Sequence, residues 1–458
     1  MKIAFVSSES TPYAKTGGLA DVVGTLPQYL KKLGIETTIY MPKYRGITGT
    51  YVQPLEIEMQ EVYTVKIFKK DDYRFIDYAP FFERDGLYGT KSGDYPDNCE
   101  RFTLFCKAVS QLVTRDHYTI VHCHDWQSAL IPLYIRLKTP NVKTVFTIHN
   151  LGYQGKFPGQ QFPILGLDTE YFNPKGIEYY GDINFLKAGI LYSDAVTTVS
   201  ENYAHEIQTQ EFGFGLEGVL KKRSDKLSGI INGIDYSHWN PQTDDLIYEM
   251  YNNFAGKQKN KLRLTNECHI DSKRPLIGIV SRIAGQKGFD ILIKAFDEIM
   301  DIGFNLVLLG SGEENYYRKL KQYENLYPHR ISINIKFDNK LAHRIYAASD
   351  FFLMPSRYEP CGLGQMISLK YGGVPIVRKT GGLADTVTEF DQNTLAGNGF
   401  VFEEYSGEAL LEAISRAYKV YNKKDTFQAL SENCMRYNFS WEESAKKYLK
   451  LYESLLNP

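Results

Sequence analysis

No stretch of this chain approaches the ~20 consecutive apolar residues of a membrane-spanning helix, and the apolar run Ile3–Val6 is too short for the core of a signal peptide. Ile3–Val6 reads as a first strand, and a cytoplasmic location is expected. Cysteine is sparse: Cys99, Cys106, Cys123, Cys268, Cys361 and Cys434 have neither the paired spacing of a zinc site nor the density of a disulfide framework. That usage fits a reducing compartment. Charge of one sign is missing too. With 53 Lys and Arg against 54 Asp and Glu, the formal net charge of -1 supplies no global field toward nucleic acid or anionic lipid. Neither nucleic acid nor membrane is expected as a partner, and any cation that matters must act locally. Low-complexity tracts, repeat arrays, a GxSxG nucleophile elbow and an HExxH zinc helix are also absent.

What is present is length, aromatic rings and a recurring glycine motif. At 458 residues the chain can hold three average domains or two larger α/β lobes. Aromatic residues make up 14%, which suits sugar rings stacking on apolar faces, although core packing accounts for them equally well. The sequence KTGGLAD occurs twice, at Lys15–Asp21 and at Lys379–Asp385. Either copy alone could be a tight strand-to-helix turn that prefers glycine. Seven identical residues in both halves suggest two similar lobes, each offering a glycine-rich helix entrance to a shared cleft.

The second copy closes the most informative stretch, Pro355–Val387. It begins after the apolar run Phe351–Met354 and places Glu359 just before Cys361, Gly362, Leu363 and Gly364 at a helix entrance. Free backbone amides and a carboxylate then share one rim that suits an anion. The second turn follows Val374–Val377 and carries Thr380, Gly381 and Gly382.

Along the chain, strand and helix alternate as parallel sheets covered by helices require, with ligands expected outside the carboxyl ends of the strands. The fold class is therefore α/β, with two lobes built on parallel sheets. Residues 44–98 interrupt the pattern with short alternating runs such as Glu61–Phe68, and read as an insertion of antiparallel strands. The long loop 151–181, rich in Gly, Pro and aromatic residues, reads as functional or mobile. A turn-rich exit, Asn232–Asn240, leads to a linker near Pro241–Asp245. The expected division is an N-terminal lobe 1–241, a C-terminal lobe 242–438 and a final helix within 439–458.

Three constellations carry chemistry. Arg282 and Lys287 lie five residues apart across a glycine loop at a strand end, where a guanidinium fork and an ammonium can both meet a diphosphate without a metal. Their alternative is a pair of solvated surface cations. His122 and His124 alternate along a strand and so face one side; no third and fourth ligand completes a zinc site, and Asp125 at the strand end can bind a sugar hydroxyl. His149 and Asn150 end the next strand beside the long loop and are candidates for the same sugar. Glu359 has no second carboxylate in its loop, so the paired acids of a glycosidase are not encoded there.

Taken together, KTGGLADVVGTLP, HDWQ, TIHNLGYQG, NGID, SRIAGQKG and PSRYEPCGLGQ followed by KTGGLADTV resemble the bacterial glycogen synthase and starch synthase family from end to end. The resemblance implies two Rossmann-like lobes facing across a cleft in the GT-B arrangement, the last helix crossing back to the N-terminal lobe. It also implies retaining transfer of glucose from ADP-glucose to the non-reducing end of an α-1,4-glucan such as glycogen or a maltooligosaccharide, with no metal and no cofactor. By position in these motifs, Lys15 and the amides near Gly18 would hold the donor phosphates from the N-terminal lobe, and Arg282 and Lys287 from the other. His149 would contact the donor glucose, with Asn150 beside it, and Asp125 would lie near the glucose or the acceptor. Glu359 and the amides of Cys361, Gly362 and Leu363 would hold glucose hydroxyls, and Thr380 and Gly381 would meet the distal phosphate. Phe337, His343 and Arg344 would form the adenine side. Related retaining transferases often carry a second glutamate eight residues after the first; here that position is Ile367, which favours the glucan synthases and leaves the ribose contacts unassigned. A UDP-dependent or sucrose-type transferase, or a sugar binder without turnover, are the rival readings.

Overall fold

A computed structural model describes residues 1–457. The chain forms two compact units, Met1–Ile230 with the helix Trp441–Leu456, and Ile231–Ser440.

In the first unit β1 (Lys2–Val6), β2 (Glu36–Pro42), β3 (Thr50–Glu58), β4 (Val62–Lys70), β5 (Tyr73–Asp77), β6 (Ile120–His124), β7 (Lys143–Ile148), β8 (Ala195–Thr198) and β9 (Leu227–Gly229) make one nine-stranded sheet. Its order is β9-β8-β7-β6-β1-β2-β5-β4-β3. Pairing is parallel from β9 through β5. Ile3, Ala4, Phe5 and Val6 are all fully enclosed, as a strand covered by helices on both faces demands. β3 and β4 pair antiparallel at the edge, and β4 alternates exposed Val62, Thr64 and Lys66 with buried Tyr63, Val65 and Ile67, the pattern of a half-solvated sheet. Within residues 44–98, β5 adds to β2 in parallel, and the β3–β4 hairpin extends the same sheet.

The helix Trp441–Leu456 belongs to this unit. It buries Trp441, Ala445, Tyr448 and Tyr452 on one stripe, packs beside the helix Gly18–Lys32, and brings the Tyr452 hydroxyl 2.8 Å from His122 Nδ1.

The second unit has six parallel strands, β10 (Leu276–Val280), β11 (Asn305–Gly310), β12 (Ile331–Ile335), β13 (Phe351–Met354), β14 (Val374–Arg378) and β15 (Phe400–Phe402), in the order β12-β11-β10-β13-β14-β15. The division between units falls at Ile230, upstream of the linker expected at Pro241. The reason is that the turn-rich segment packs as part of the second unit: Ile234 N donates to Phe439 O at 2.7 Å, and Trp239 stacks on His343 with ring centres 4.1 Å apart.

Each sheet has a point where the chain reverses its direction of growth. In the first unit β1 leads outward to β2, and β6 returns on the other side of β1. In the second, β10 leads to β11 and β12, and β13 returns on the other side of β10. The loops leaving β1 and β6, and those leaving β10 and β13, therefore diverge and leave a crevice between each pair.

Candidate active site

In the second unit the two diverging loops are 281–288 and 355–364. Gly288 has φ +78°, and a Cβ there would sit 1.9 Å from the Pro355 carbonyl oxygen, so glycine alone lets the loops touch. Arg357 N donates to Gln286 O at 2.8 Å and Gln286 Nε2 to Tyr358 O at 3.3 Å, fixing one loop on the other. The result is an ion pair with Lys287 Nζ 2.6 Å from Glu359 Oε2, the side chains 17% and 8% exposed. Ser356 Oγ donates to the same oxygen at 3.0 Å. Arg282 is exposed, its Nη2 donating to Gln286 Oε1 at 3.3 Å.

Past Glu359 the chain turns through buried Cys361 and through Gly362, whose φ is +71°. Gln365 Nε2 pins this turn, donating to Cys361 O at 3.1 Å, Gly362 O at 2.9 Å and Thr386 Oγ1 at 3.1 Å. Leu363 precedes the helix Gly364–Lys370. Burial pushes the Cys361 thiol up to about 12, so it supplies no nucleophile.

The two KTGGLAD copies differ. Around Gly17 and Gly18 a Cβ would meet nothing within 4 Å, so this entrance, opening the helix Gly18–Lys32, stands open. In the second copy a Cβ on Gly381 would lie 1.9 Å from Glu359 O and one on Gly382 2.0 Å from Cys361 O, while Gly382 N donates to Glu359 O at 3.1 Å. Thr380 is fully buried. This corrects the expectation that both copies open onto ligand: Thr380, Gly381 and Gly382 form the bed on which the Glu359 loop lies.

In the first unit Lys15 is exposed and pairs with Asp21 of its own motif at 2.7 Å. The loop is held by Glu9, which sequence reasoning missed. Glu9 is buried and accepts from the Thr16 amide, from Thr16 Oγ1 at 2.6 Å and from the Tyr88 hydroxyl at 2.6 Å. A carboxylate between a strand and a glycine loop was its only signal.

The loop after β6 begins with Asp125 at φ 54°, an uncommon conformation for a residue other than glycine and one that marks functional positions. Asp125 Oδ1 accepts from His149 N at 2.7 Å, tying the ends of β6 and β7 together. Burial pushes its carboxyl up to about 7; the nearby Glu9 charge adds to that rise, and the amides of His149 and Asn150 oppose it. The rings of His122 and His124 face one side, 4.2 Å apart. His122 is held at both nitrogens, by Tyr452 and by Thr147 Oγ1 at 2.6 Å, whereas His124 Nδ1 lies 3.0 Å from His149 Nε2. Asn150 accepts from Gly152 N at 3.0 Å in a local turn.

On the expected adenine side, Phe337 is 92% exposed. His343 is not available to a ligand, which corrects its assignment. Its ring is enclosed, stacked on Trp239, and Nδ1 lies 2.7 Å from Asp244 Oδ2. Arg344 pairs with Glu267 at 2.9 Å.

Residues 2–222 match the family model described as starch synthase catalytic domain, and residues 261–433 match glycosyl transferases group 1. A glycogen synthase from Koribacter versatilis is 46% identical across 99% of this chain and 98% of its own. The chain belongs to the glycogen and starch synthase family. A glycogen synthase from Geotalea daltonii is also 46% identical, over 100% of this chain and 99% of its own. The catalytic domain of starch synthase IV from Arabidopsis thaliana, solved bound to ADP and acarbose, superposes with a TM-score of 0.90 at 34% identity, covering 100% and 99% of the two chains. A sucrose-phosphate synthase from Thermosynechococcus elongatus, at TM-score 0.64 and 18% identity over 100% and 99%, shares the fold alone. The protein is accordingly a glycosyltransferase with the two-domain GT-B fold of starch synthases, acting as a glycogen synthase. No described helix is long and apolar enough to cross a membrane.

Proposed function

We propose that the protein transfers glucose from ADP-glucose to the 4-hydroxyl at the non-reducing end of an α-1,4-glucan, retaining the anomeric configuration. The observation that carries this reading is the Lys287–Glu359 pair at the crevice of the second sheet. Unoccupied, the cation and the carboxylate neutralise each other. With donor bound, Lys287 turns to the diphosphate beside Arg282, and Glu359 is released to accept from glucose hydroxyls. The bond from the anomeric carbon to phosphate oxygen breaks with its electrons leaving on ADP, the acceptor 4-oxygen bonds the same carbon and gives its proton to the departing phosphate, and two nearby cations stabilise the phosphate charge in a site that Ser356 and Gln286 hold preformed.

The backbone of Cys361, Gly362 and Leu363 positions the glucose, and Phe337 offers a face to adenine. Lys15 exchanges Asp21 for donor phosphate, helped by the open amides at Gly18. His149, Asp125 and Asn150 contact the sugar. Six free thiols suit a reducing cytosol.

Incubation with ADP-glucose and glycogen, following ADP release and the linkage formed, tests the proposal. ADP release with new α-1,4 bonds is expected. No ADP release, or faster turnover with UDP-glucose, refutes it.

A further inference from the structure

His124 and His149 are joined ring to ring, Nδ1 to Nε2 at 3.0 Å, with both residues buried. Burial lowers both rings far below the ordinary imidazole range, His149 to about 3, so each is neutral and carries one N–H. One hydrogen lies between them, and two arrangements could supply it. If His149 donated, the other hydrogen of the pair would sit on His124 Nε2, which is buried and without a partner. If His124 donates, that same nitrogen carries only a lone pair. A buried N–H without an acceptor is rarer than a buried acceptor without a donor. The second arrangement is therefore favoured.

The His124 ring also cannot turn away from this duty. It stacks on Phe5 with centres 5.8 Å apart and lies tilted against His122, 4.2 Å away, which Tyr452 and Thr147 hold at both nitrogens. We infer that His124 is a positioning residue: its Nδ1–H locks His149 as the tautomer protonated at Nδ1, so that His149 meets the transferred sugar as a hydrogen-bond donor. This rests on the reading that His149 contacts the donor glucose. Among the described residues the one ring bond of His149 is at Nε2, so Nδ1 is the nitrogen left for a ligand.

Nitrogen-15 NMR of the histidine-labelled protein, with His149 assigned by its loss in His149→Phe, should show Nδ1 protonated and Nε2 bare. His124→Phe keeps a flat ring and removes the donor; His149 should then redistribute toward the Nε2–H form. The kcat should fall ~10-fold or more, short of the ~10²–10³ for outright loss of an oriented donor, with a smaller change in KM. His124→Asn, whose amide can donate from near the Nδ1 position, should restore both the tautomer and most of kcat.

An Nε2–H tautomer in the wild type overturns the inference, as does a His124→Phe protein with unchanged kcat when His149→Ala is impaired. Wild-type turnover in His149→Ala would instead overturn the sugar contact, while the NMR still decides the tautomer. If His124→Phe does not fold, the wild-type spectrum and His124→Asn carry the test.

Discussion

Replacing Lys287 by alanine leaves Glu359 a nearly enclosed carboxylate that still accepts from Ser356 Oγ, 3.0 Å away. Removing one partner of a buried ion pair costs about 3–5 kcal/mol, because the surviving charge is left without compensation. Lys287 retains some exposure, so the lower end applies. For a unit of this size each kcal/mol lowers the midpoint by about 2–4 °C, and Lys287→Ala should therefore melt roughly 6–12 °C below wild type. Glu359→Ala should behave differently. The ammonium it strands sits on a long flexible stem that can reach water, so a loss of only ~1 kcal/mol, or about 2–4 °C, is expected. Both variants should lose turnover by ~10²-fold or more, since each removes a preorganised contact. Thermal unfolding of the two proteins, paired with ADP release at saturating donor, measures both quantities. Equal melting losses would refute the argument that the carboxylate is the dependent partner. Full activity in a folded Glu359→Ala protein would refute the site.

Gly382→Ala should lower activity and stability together, because its Cβ would collide with Cys361 O, whereas Gly18→Ala should leave the melting point level or raised and weaken donor binding; melting and donor KM for both variants check the contrast. EDTA should leave the rate unchanged, and a loss restored by divalent ion would contradict a charge supply made of side chains. Asp125 titrates near 7 in the fold against an ordinary value of 3.8, so its contribution to stability is full below the unfolded value and is lost as pH rises through about 7. Activity that needs the carboxylate should rise over the same range, and Asp125→Asn should lack this inflection in its pH–rate profile.

Strand ends were legible because apolar runs stop where glycine and charge begin, and this alone placed Arg282, Lys287, Glu359, Asp125 and His149 at carboxyl ends. What those side chains meet was less legible. The two KTGGLAD copies are identical in sequence yet open in one place and packed in the other, since what faces a glycine Cα is set by a distant loop, here Glu359–Cys361. His343 read as a ligand residue because its burial depends on Trp239 and Asp244, the latter 99 residues away. That the strands within 44–98 extend the main sheet was not legible, because an edge hairpin looks alike whether it stands alone or extends a sheet.

The helix Trp441–Leu456 also dictates an order of events during synthesis. His122 and Tyr452 are 330 residues apart in the chain. At ~5–20 residues per second, the strand bearing His122 leaves the ribosome roughly 15–65 s before its partner does. Through that interval β6 lacks its cover, while the whole of the second unit emerges and can fold first. Non-local closure of this kind is slow, and it leaves apolar surface open to aggregation. A stalled or truncated nascent chain should thus yield a folded second unit tethered to an unfinished first one.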